Sequence, residues 1–452
     1  MTRPTDIRLC ELTSSTTQSV FRTPLKFGGQ VVTQSPNLHV EATVETRDGR
    51  RAVGRGMMPL GSVWGWPSAV VTGAQAAEAG LALFARAVPA AAAALNESGH
   101  PLDFDQAAEP LFSRLAAEVA AHLQLAEPLP LLYQQVVTSA IGAAWHDAYG
   151  RALGRPVWAC YGPEYLAGDL GDRLHPRYAG LTLDQFISAK PVPSLPLYHL
   201  VGALDPLTPA DVAQPVGDGL PEHLAEWILA DDLTHLKIKL NGDDVNWDVE
   251  RVAAVEQIAG PPMAQLGHDG WVYSLDFNER CPHVDYILEF LARLAERAPQ
   301  AFARVSYIEQ PTARDLAAHP ENRMHTAAKL RPVVIDESLT GLESYDLARE
   351  QGYSGVALKA CKGQGAALLI AAAAQYDGLF LCVQDLTCPG ASFLHSASLA
   401  AHVPTVSAIE GNARQYCPSS NVEWAARYPT LFRPRAGAIE TALLDGPGLG
   451  FG

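Results

Sequence analysis

The chain has 452 residues, 48% hydrophobic and 18% charged, which suits one large α/β barrel with a second domain and rules out extensive disorder. A formal net charge of -16 argues against a nucleic-acid backbone or an anionic membrane as partner, since both are met by clustered Lys and Arg. The seven cysteines are scattered, with no C-x-x-C pair, and read as reduced thiols rather than a disulfide framework or a zinc site.

In chain order, the opening MTRPTDIRLCELTSS carries no apolar run after its charges, so no signal peptide is expected. The longest apolar stretch, GAALLIAAAA, is about half of the roughly 20 residues a membrane span requires. A cytoplasmic location is the expectation. PNLHVEATVETRDGRRAVGRG reads as two β runs joined at Asp48-Gly49, a hairpin signal. Two Ala-rich helical segments come after it, AQAAEAGLALFARAV and FDQAAEPLFSRLAAEVAAHLQL. Residues 1–130 are therefore expected to form an α+β domain. A helix over about Leu131 to Leu153 bridges it to the larger C-terminal domain, and the Pro/Gly-rich residues 160–194 carry no assignable element.

From residue 195 onward, eight short β-rich runs alternate with amphipathic helical segments: LPLYHLVG, HLKIKLNG, YSLDFNE, VSYIEQP, PVVIDES, GVALKAC, LFLCVQD and PTVSAIE. Strand and helix in alternation imply a parallel sheet, and eight strands imply a closed barrel. The stretch after the eighth run is Pro-interrupted and only briefly helical. The expected architecture is a (β/α)7β TIM-like barrel over residues 131–413, behind the N-terminal α+β capping domain, with 414–452 as a C-terminal segment.

In such barrels the chemistry sits at the C-terminal strand ends. Those ends carry Lys237 and Lys239, then Asp276 with Asn278, Glu309, Asp336, Lys359, Gln384 with Asp385, and Glu410. A lone Lys-x-Lys ordinarily marks a wet strand face. Three carboxylates on consecutive strands about 4.8 Å apart repel one another, so either their pKa values rise or a cation sits among them. Hard oxygen donors favour Mg²⁺, with Mn²⁺ as a substitute. Val334 and Asp336 share a strand face, so Asp336 rather than Glu337 is taken as the inward acid. Lysines flank the acids on both sides, and an ammonium beside another ammonium is pushed towards its neutral, basic form. Lys239 and Lys359 would face a metal-bound carboxylate substrate from opposite sides.

The motifs KIK (237–239), LDFNE (275–279), IEQP (308–311), IDES (335–338) and LKACKGQG (358–365) resemble the mandelate racemase/muconate lactonizing enzyme branch of the enolase superfamily, nearest its muconate lactonizing subgroup. AWHDAYGRALGRPVW resembles that family's domain-bridging helix, so the likeness runs through nearly the whole chain. It implies Asp276, Glu309 and Asp336 as Mg²⁺ ligands, and Lys239 and Lys359 as an acid/base pair that removes a proton alpha to a carboxylate through an enediolate. Lys237 would assist Lys239.

The resemblance also makes TPLKFGGQ (23–30) and MPLGSVWGWP (58–67) mobile cap loops, with Lys26 and Trp64 as candidate substrate contacts beside Asn278, Gln384, Asp385 and Glu410. The C-terminal segment would pack back on the cap. Lysine at 359 disfavours His-dependent mandelate racemases and acid-sugar dehydratases, and IEGN on the eighth strand lacks the Asp-x-Asp pair of dipeptide epimerases. The implied activity is an isomerase, a racemase/epimerase or cycloisomerase, on a small carboxylic acid. A lyase using the same site and a non-catalytic carboxylate-binding descendant remain alternatives. A homo-oligomer is expected.

Overall fold

The computed structural model describes residues 3–27 and 30–452. Three antiparallel strands open the chain: β1 (Ile7–Phe27), β2 (Gln30–Thr46) and β3 (Arg51–Pro59), in the order β1-β2-β3. The β2–β3 hairpin turns where expected. Gly49 takes the left-handed conformation (φ 87°), and Thr46 Oγ1 donates to Asp48 Oδ1 at 2.5 Å.

β1 departs from the sequence expectation. Its Thr- and Ser-rich stretch has little hydrophobic alternation, yet it pairs along nearly the full length of β2. TPLKFGGQ is accordingly not a loop at residues 23–27, which are strand, with Lys26 opposite Val31; Gly28 and Gly29 lie outside the described residues. The second expected loop is a packed turn, α1 (Ser62–Gly65), with Trp64 and Trp66 both buried.

Three long helices cover the sheet: α2 (Gly73–Ala94), α3 (Pro101–His122) and α4 (Leu131–Leu153). A Thr72/Gln75 capping box starts α2. By length and composition α2 could cross a membrane, unlike the shorter GAALLIAAAA stretch singled out from the sequence. Here its Ala79, Leu83, Ala87 and Ala91 face is buried. α4 is buried on almost all sides and ends at Gly154 (φ 67°). Gly54 and Gly56 let β3 lie directly on α4, because a Cβ at either would overlap the backbone of Ala148 or Ala140. Residues 160–194 form short turns, including α5 (Leu170–Arg173).

The barrel strands are β4 (Leu195–Val201), β5 (His235–Lys239), β6 (Val272–Asp276), β7 (Val305–Glu309), β8 (Val333–Ile335), β9 (Gly355–Leu358), β10 (Phe380–Val383) and β11 (Ile409–Glu410). All neighbours are parallel, and β11 closes the ring on β4. The helices between them are α6 (Leu224–Asp231), α7 (Val245–Gln265), α8 (Val284–Arg297) with α9 (Pro299–Arg304), α10 (His325–Leu330), α11 (Leu342–Glu350), α12 (Gln364–Tyr376) and α13 (Ala391–His402). Of the Thr312–Leu330 stretch only α10 is helical, since Pro311 and Pro320 interrupt the chain before it.

No full helix follows β11, as a (β/α)7β barrel requires; α14 (Ala413–Tyr416), α15 (Val422–Arg427) and α16 (Pro429–Phe432) are single turns. β12 (Ala438–Ile439) then pairs antiparallel with the start of β4. Ser420 meets Ser19 of β1 at 2.8 Å, and the Leu449 N–H donates to Asp147 of α4 at 2.9 Å.

Tyr198, Tyr307, Val334, Ala357, Cys382 and Ala408 form an apolar layer of their own within the barrel. Residues two places further along share that inward face: Glu309, Asp336, Lys359, Gln384 and Glu410.

Candidate active site

Register sets the height of the site. Lys239 lies opposite Asp276, and Asp276 opposite Glu309, so the three stand at one level on β5, β6 and β7. Asp336 and Lys359 come directly after β8 and β9. The parity that puts Val334 in the interior layer puts Asp336 above it, as the sequence suggested.

Lys237 is 1% exposed and lies 3.0 Å from Asp276, 2.8 Å from Glu309 and 2.8 Å from Glu410. Lys239 donates to Asp276 and, at 3.0 Å, to Asn278 Oδ1. Lys359 stands 2.9 Å from Asp336. A fourth ammonium, Lys362, joins them 3.2 Å from Asp336 and also donates to its main-chain oxygen. Lys362 lies within the LKACKGQG motif, yet the sequence alone gives it no role. It stands on the 3₁₀ turn after β9 (Ala360–Lys362), where strand parity no longer tells which way a side chain points.

The electrostatics correct one expectation. Burial opposes the charge on Lys237, yet Asp276, Glu309 and Glu410 together hold its pKa well above the ordinary lysine value. Lys359 is likewise raised: burial opposes its charge, and Asp336, Glu309 and Glu410 together outweigh burial and the repulsion of Lys237. Neighbouring carboxylates, not neighbouring ammoniums, therefore decide the charge of these two lysines. Burial also opposes ionisation of Asp276, but Lys237 and Lys239 keep its carboxyl below the usual range. Burial, then the charge on Asp276, pushes Glu309 well up.

The cap reaches into this cluster. The Trp64 ring lies 4.5 Å from Lys359 Nζ and 5.7 Å from Lys362 Nζ, and its indole N–H donates to Glu337 at 3.1 Å. Asn278 Nδ2 donates to the same Glu337 oxygen at 3.2 Å. Arg314 Nη2 donates to the Trp64 carbonyl at 3.1 Å, and its Nε to Glu279 at 2.7 Å. Gln384 donates to Glu309, and at 3.3 Å to the Tyr307 hydroxyl. Asp385 accepts from the Thr387 and Cys388 N–H groups, each at 3.2 Å. Burial, then the nearby Glu410 charge, raises Asp385 to about 7.

Two openings lead in. A cavity of about 440 Å³ under the β1–β2 hairpin is bordered by Phe21, Gln30, Val32, Trp64, Leu386 and Thr387. A smaller one, about 40 Å³, brings Lys26 beside Lys239, Asn278 and Arg280.

Among the described residues, no three Asp, Glu, His or Cys side chains close on one point tightly enough to chelate an ion as they stand. The expected convergence of the three acids is thus replaced by pairing, each taking a lysine as its countercharge. Chemically the set still fits a divalent cation. Asp276, Glu309, Asp336, Glu337, Asp385 and Glu410 are six buried carboxylates facing four buried ammoniums, Lys237, Lys239, Lys359 and Lys362. The carboxyls outnumber the ammoniums, the raised Glu309 and Asp385 are ones a cation would hold in the charged form, and both Asp336 side-chain oxygens lack a hydrogen bond despite their ion pairs. The seven cysteines are all free, and burial pushes up the thiol of Cys361, which stands beside Lys359 and Lys362.

A capped, closed eight-stranded parallel barrel with carboxylates and lysines ringed at its C-terminal mouth defines a class of barrel enzymes. Within it, the chain belongs to the enolase C-terminal domain-like family, whose model matches residues 220–452. No curated protein sequence matches.

Among solved structures, the L-Ala-D/L-Glu epimerase of Bacillus subtilis superposes with a TM-score of 0.62 at 17% identity, covering 98% of both chains. The muconate lactonizing enzyme of Pseudomonas fluorescens gives 0.59 at 18%, over 98% of this chain and 96% of its own. A dipeptide epimerase of Cytophaga hutchinsonii, complexed with Mg and the dipeptide D-Ala-L-Val, gives 0.59 at 17% over the same shares. At these identities the likeness establishes the fold.

Proposed function

We propose that the chain is an isomerase, a racemase/epimerase or cycloisomerase, that removes and returns a proton alpha to the carboxylate of a small acid. One observation carries this reading. Lys239 ends β5 and Lys359 comes directly after β9, four strands apart in a ring of eight, so the two amines face each other across the mouth. Proton removal by one and return by the other is what inversion at a carbon requires.

Asp276, Glu309 and Asp336 would hold Mg²⁺, or Mn²⁺ in its place, consistent with the excess of buried carboxyls over ammoniums and with the Mg in the Cytophaga hutchinsonii structure. The bound ion would supply positive charge to the substrate carboxylate and to the enediolate that develops from it. Lys237 draws Asp276, Glu309 and Glu410 together and helps keep Asp276 ionised. Trp64 fixes Lys359 from above, and Asn278 steadies Lys239. Lys26, which borders the smaller opening, and Gln384, Asp385 and Glu410, at the C-terminal ends of β10 and β11, are the candidate substrate contacts. In this reading 1–130 is the cap, 131–413 the catalytic barrel and 414–452 a segment returning to the cap, within a cytoplasmic homo-oligomer.

The test is a mass-spectrometric screen in D₂O of N-acyl amino acids, dipeptides, hydroxy acids and lactone-forming diacids. Deuterium should enter the α-position with Mg²⁺ and stop with EDTA, and should stop in Lys239→Ala and Lys359→Ala. Exchange by both variants at the parent rate would end the lysine assignment. Loss of a β-substituent instead of exchange would make the enzyme a lyase.

A further inference from the structure

Behind Lys362, away from the two openings, lies another cavity of about 300 Å³ between the cap and the barrel. Its walls come from α3 and α4, from residues 340–342 after β8, and from α12. Much of the lining is apolar, with Leu102, Phe112, Leu131, Trp145 and Leu369. The polar groups in it are unbalanced in a particular direction.

Asp105 and Glu109 stand one helical turn apart on α3 and both border the space. Asp105 is held firmly in place. Its Oδ1 accepts from the Trp145 indole at 2.8 Å, and its Oδ2 lies 2.8 Å from His146 Nε2. A Cβ at Gly365 would overlap this carboxylate, so α12 is cut back to admit it. Two amide oxygens from α4 add to the acceptors: Gln134 Oε1 and Gln135 Oε1 are buried without a hydrogen-bond partner.

The donors bordering the cavity are engaged, except for Arg173 Nε, which is buried without a hydrogen-bond partner. Arg173 donates to Asp103 at 2.7 Å and to Gln106 at 2.9 Å. Gln135 Nε2 donates to the Thr340 carbonyl at 2.7 Å, and Lys362 pairs with Asp336. With Glu109 and two open amide oxygens set against one open guanidinium N–H, and with apolar walls around them, the space is complementary to a cation with N–H groups on a hydrophobic body.

We infer that this cavity is a second ligand site, distinct from the substrate openings, and that it takes a small primary amine with an aromatic or aliphatic body. The ammonium meets Asp105 and Glu109, and the body lies against Phe112, Trp145 and Leu369. Lys362 separates such a ligand from Asp336 by one side chain, which places the site within reach of the catalytic cluster.

The probe is 2-phenylethylamine, titrated calorimetrically into the full chain against 3-phenylpropionate, an acid of similar size. Two variants at exposed positions of α3 accompany the parent: Glu109→Gln removes charge, and Ser113→Phe fills the rim. The amine should bind and the acid should not. Affinity for the amine should fall about threefold in Glu109→Gln, as expected of a partly exposed ion pair, and about tenfold or more in Ser113→Phe. Absence of amine binding overturns the inference. So does equal binding of the acid, or amine binding that neither variant weakens, which would place the amine in the acidic barrel mouth instead. Should Ser113→Phe fail to fold, Glu109→Gln with the acid control still decides.

Discussion

Lys237→Met tests whether the buried ammonium holds the mouth together. Methionine is nearly the same length and apolar, so the space stays filled while the charge is lost. In the parent, three carboxylates approach Lys237 Nζ at 3.0, 2.8 and 2.8 Å. At an effective dielectric of about 20, a pair at about 3 Å attracts by about 5–6 kcal/mol, roughly 15 kcal/mol for three. Burying the ammonium offsets several kcal/mol of this. Breaking an ordinary buried pair costs about 3–5 kcal/mol, and here three acids are stranded at once, so we expect about 5 kcal/mol. Against a total stability of about 5–15 kcal/mol, that brings the variant close to unfolding. The assay is urea denaturation followed by tryptophan fluorescence, in EDTA at neutral pH. Adding Glu410→Gln to Lys237→Met should recover about 1–2 kcal/mol by removing one stranded charge, because the other contact of Glu410 is Asn412 at 3.4 Å. A Lys237→Met midpoint matching the parent, or no recovery in the double variant, would refute the account.

Asp385 gives a pH signature. Its carboxyl is raised from 3.8 to about 7, first by burial and then by Glu410. Folding therefore takes up a proton, and this contribution is full below about pH 4 and lost as pH rises through about 7; Asp385→Asn should flatten that decline in the urea midpoint. Trp64→Phe keeps a ring over Lys359 but loses the N–H to Glu337, and should slow α-deuterium exchange about tenfold, with Trp64→Ala slowing it about a hundredfold. Unchanged exchange in both would remove Trp64 from the site. Gly56→Ala should cost about 3 kcal/mol or more in thermal melts, since its Cβ overlaps the Ala140 carbonyl oxygen of α4; a melting temperature equal to the parent's would contradict the packing of β3 on α4.

The barrel was legible because each strand is a short apolar run between turn residues and each functional side chain sits two residues beyond an interior one. Parity alone picked Asp336 over Glu337. Signals that depend on distant chain were not readable. β1 is long but polar, with its Val20 61% exposed and Val31 of its partner β2 57% exposed, and pairing rather than hydrophobic alternation makes it a strand. Lys362 points into the site from a 3₁₀ turn, where period-two reasoning lapses. The carboxylate partners that hold Lys237 and Lys359 charged were not readable, because sequence order shows which lysines are near each other but not which carboxylate each one touches. Nor could spacing reveal Arg314, which ties the cap's Trp64 to Glu279 of the barrel.

The closing seam of the barrel also governs how the chain is made. β4 is sealed along its free edge by Ile409 and Glu410, paired with Leu197 and Tyr198, and by Ala438 and Ile439 at its start. Some two hundred residues separate the partners, so the contact is among the most non-local in the molecule and belongs to the slow class of folding events. During synthesis the cap, the bridging helix and the first strands emerge long before their sealing strand. A nascent chain that stops short of residue 409 is an open seven-stranded sheet with two bare edges, available to chaperones or to a neighbouring chain.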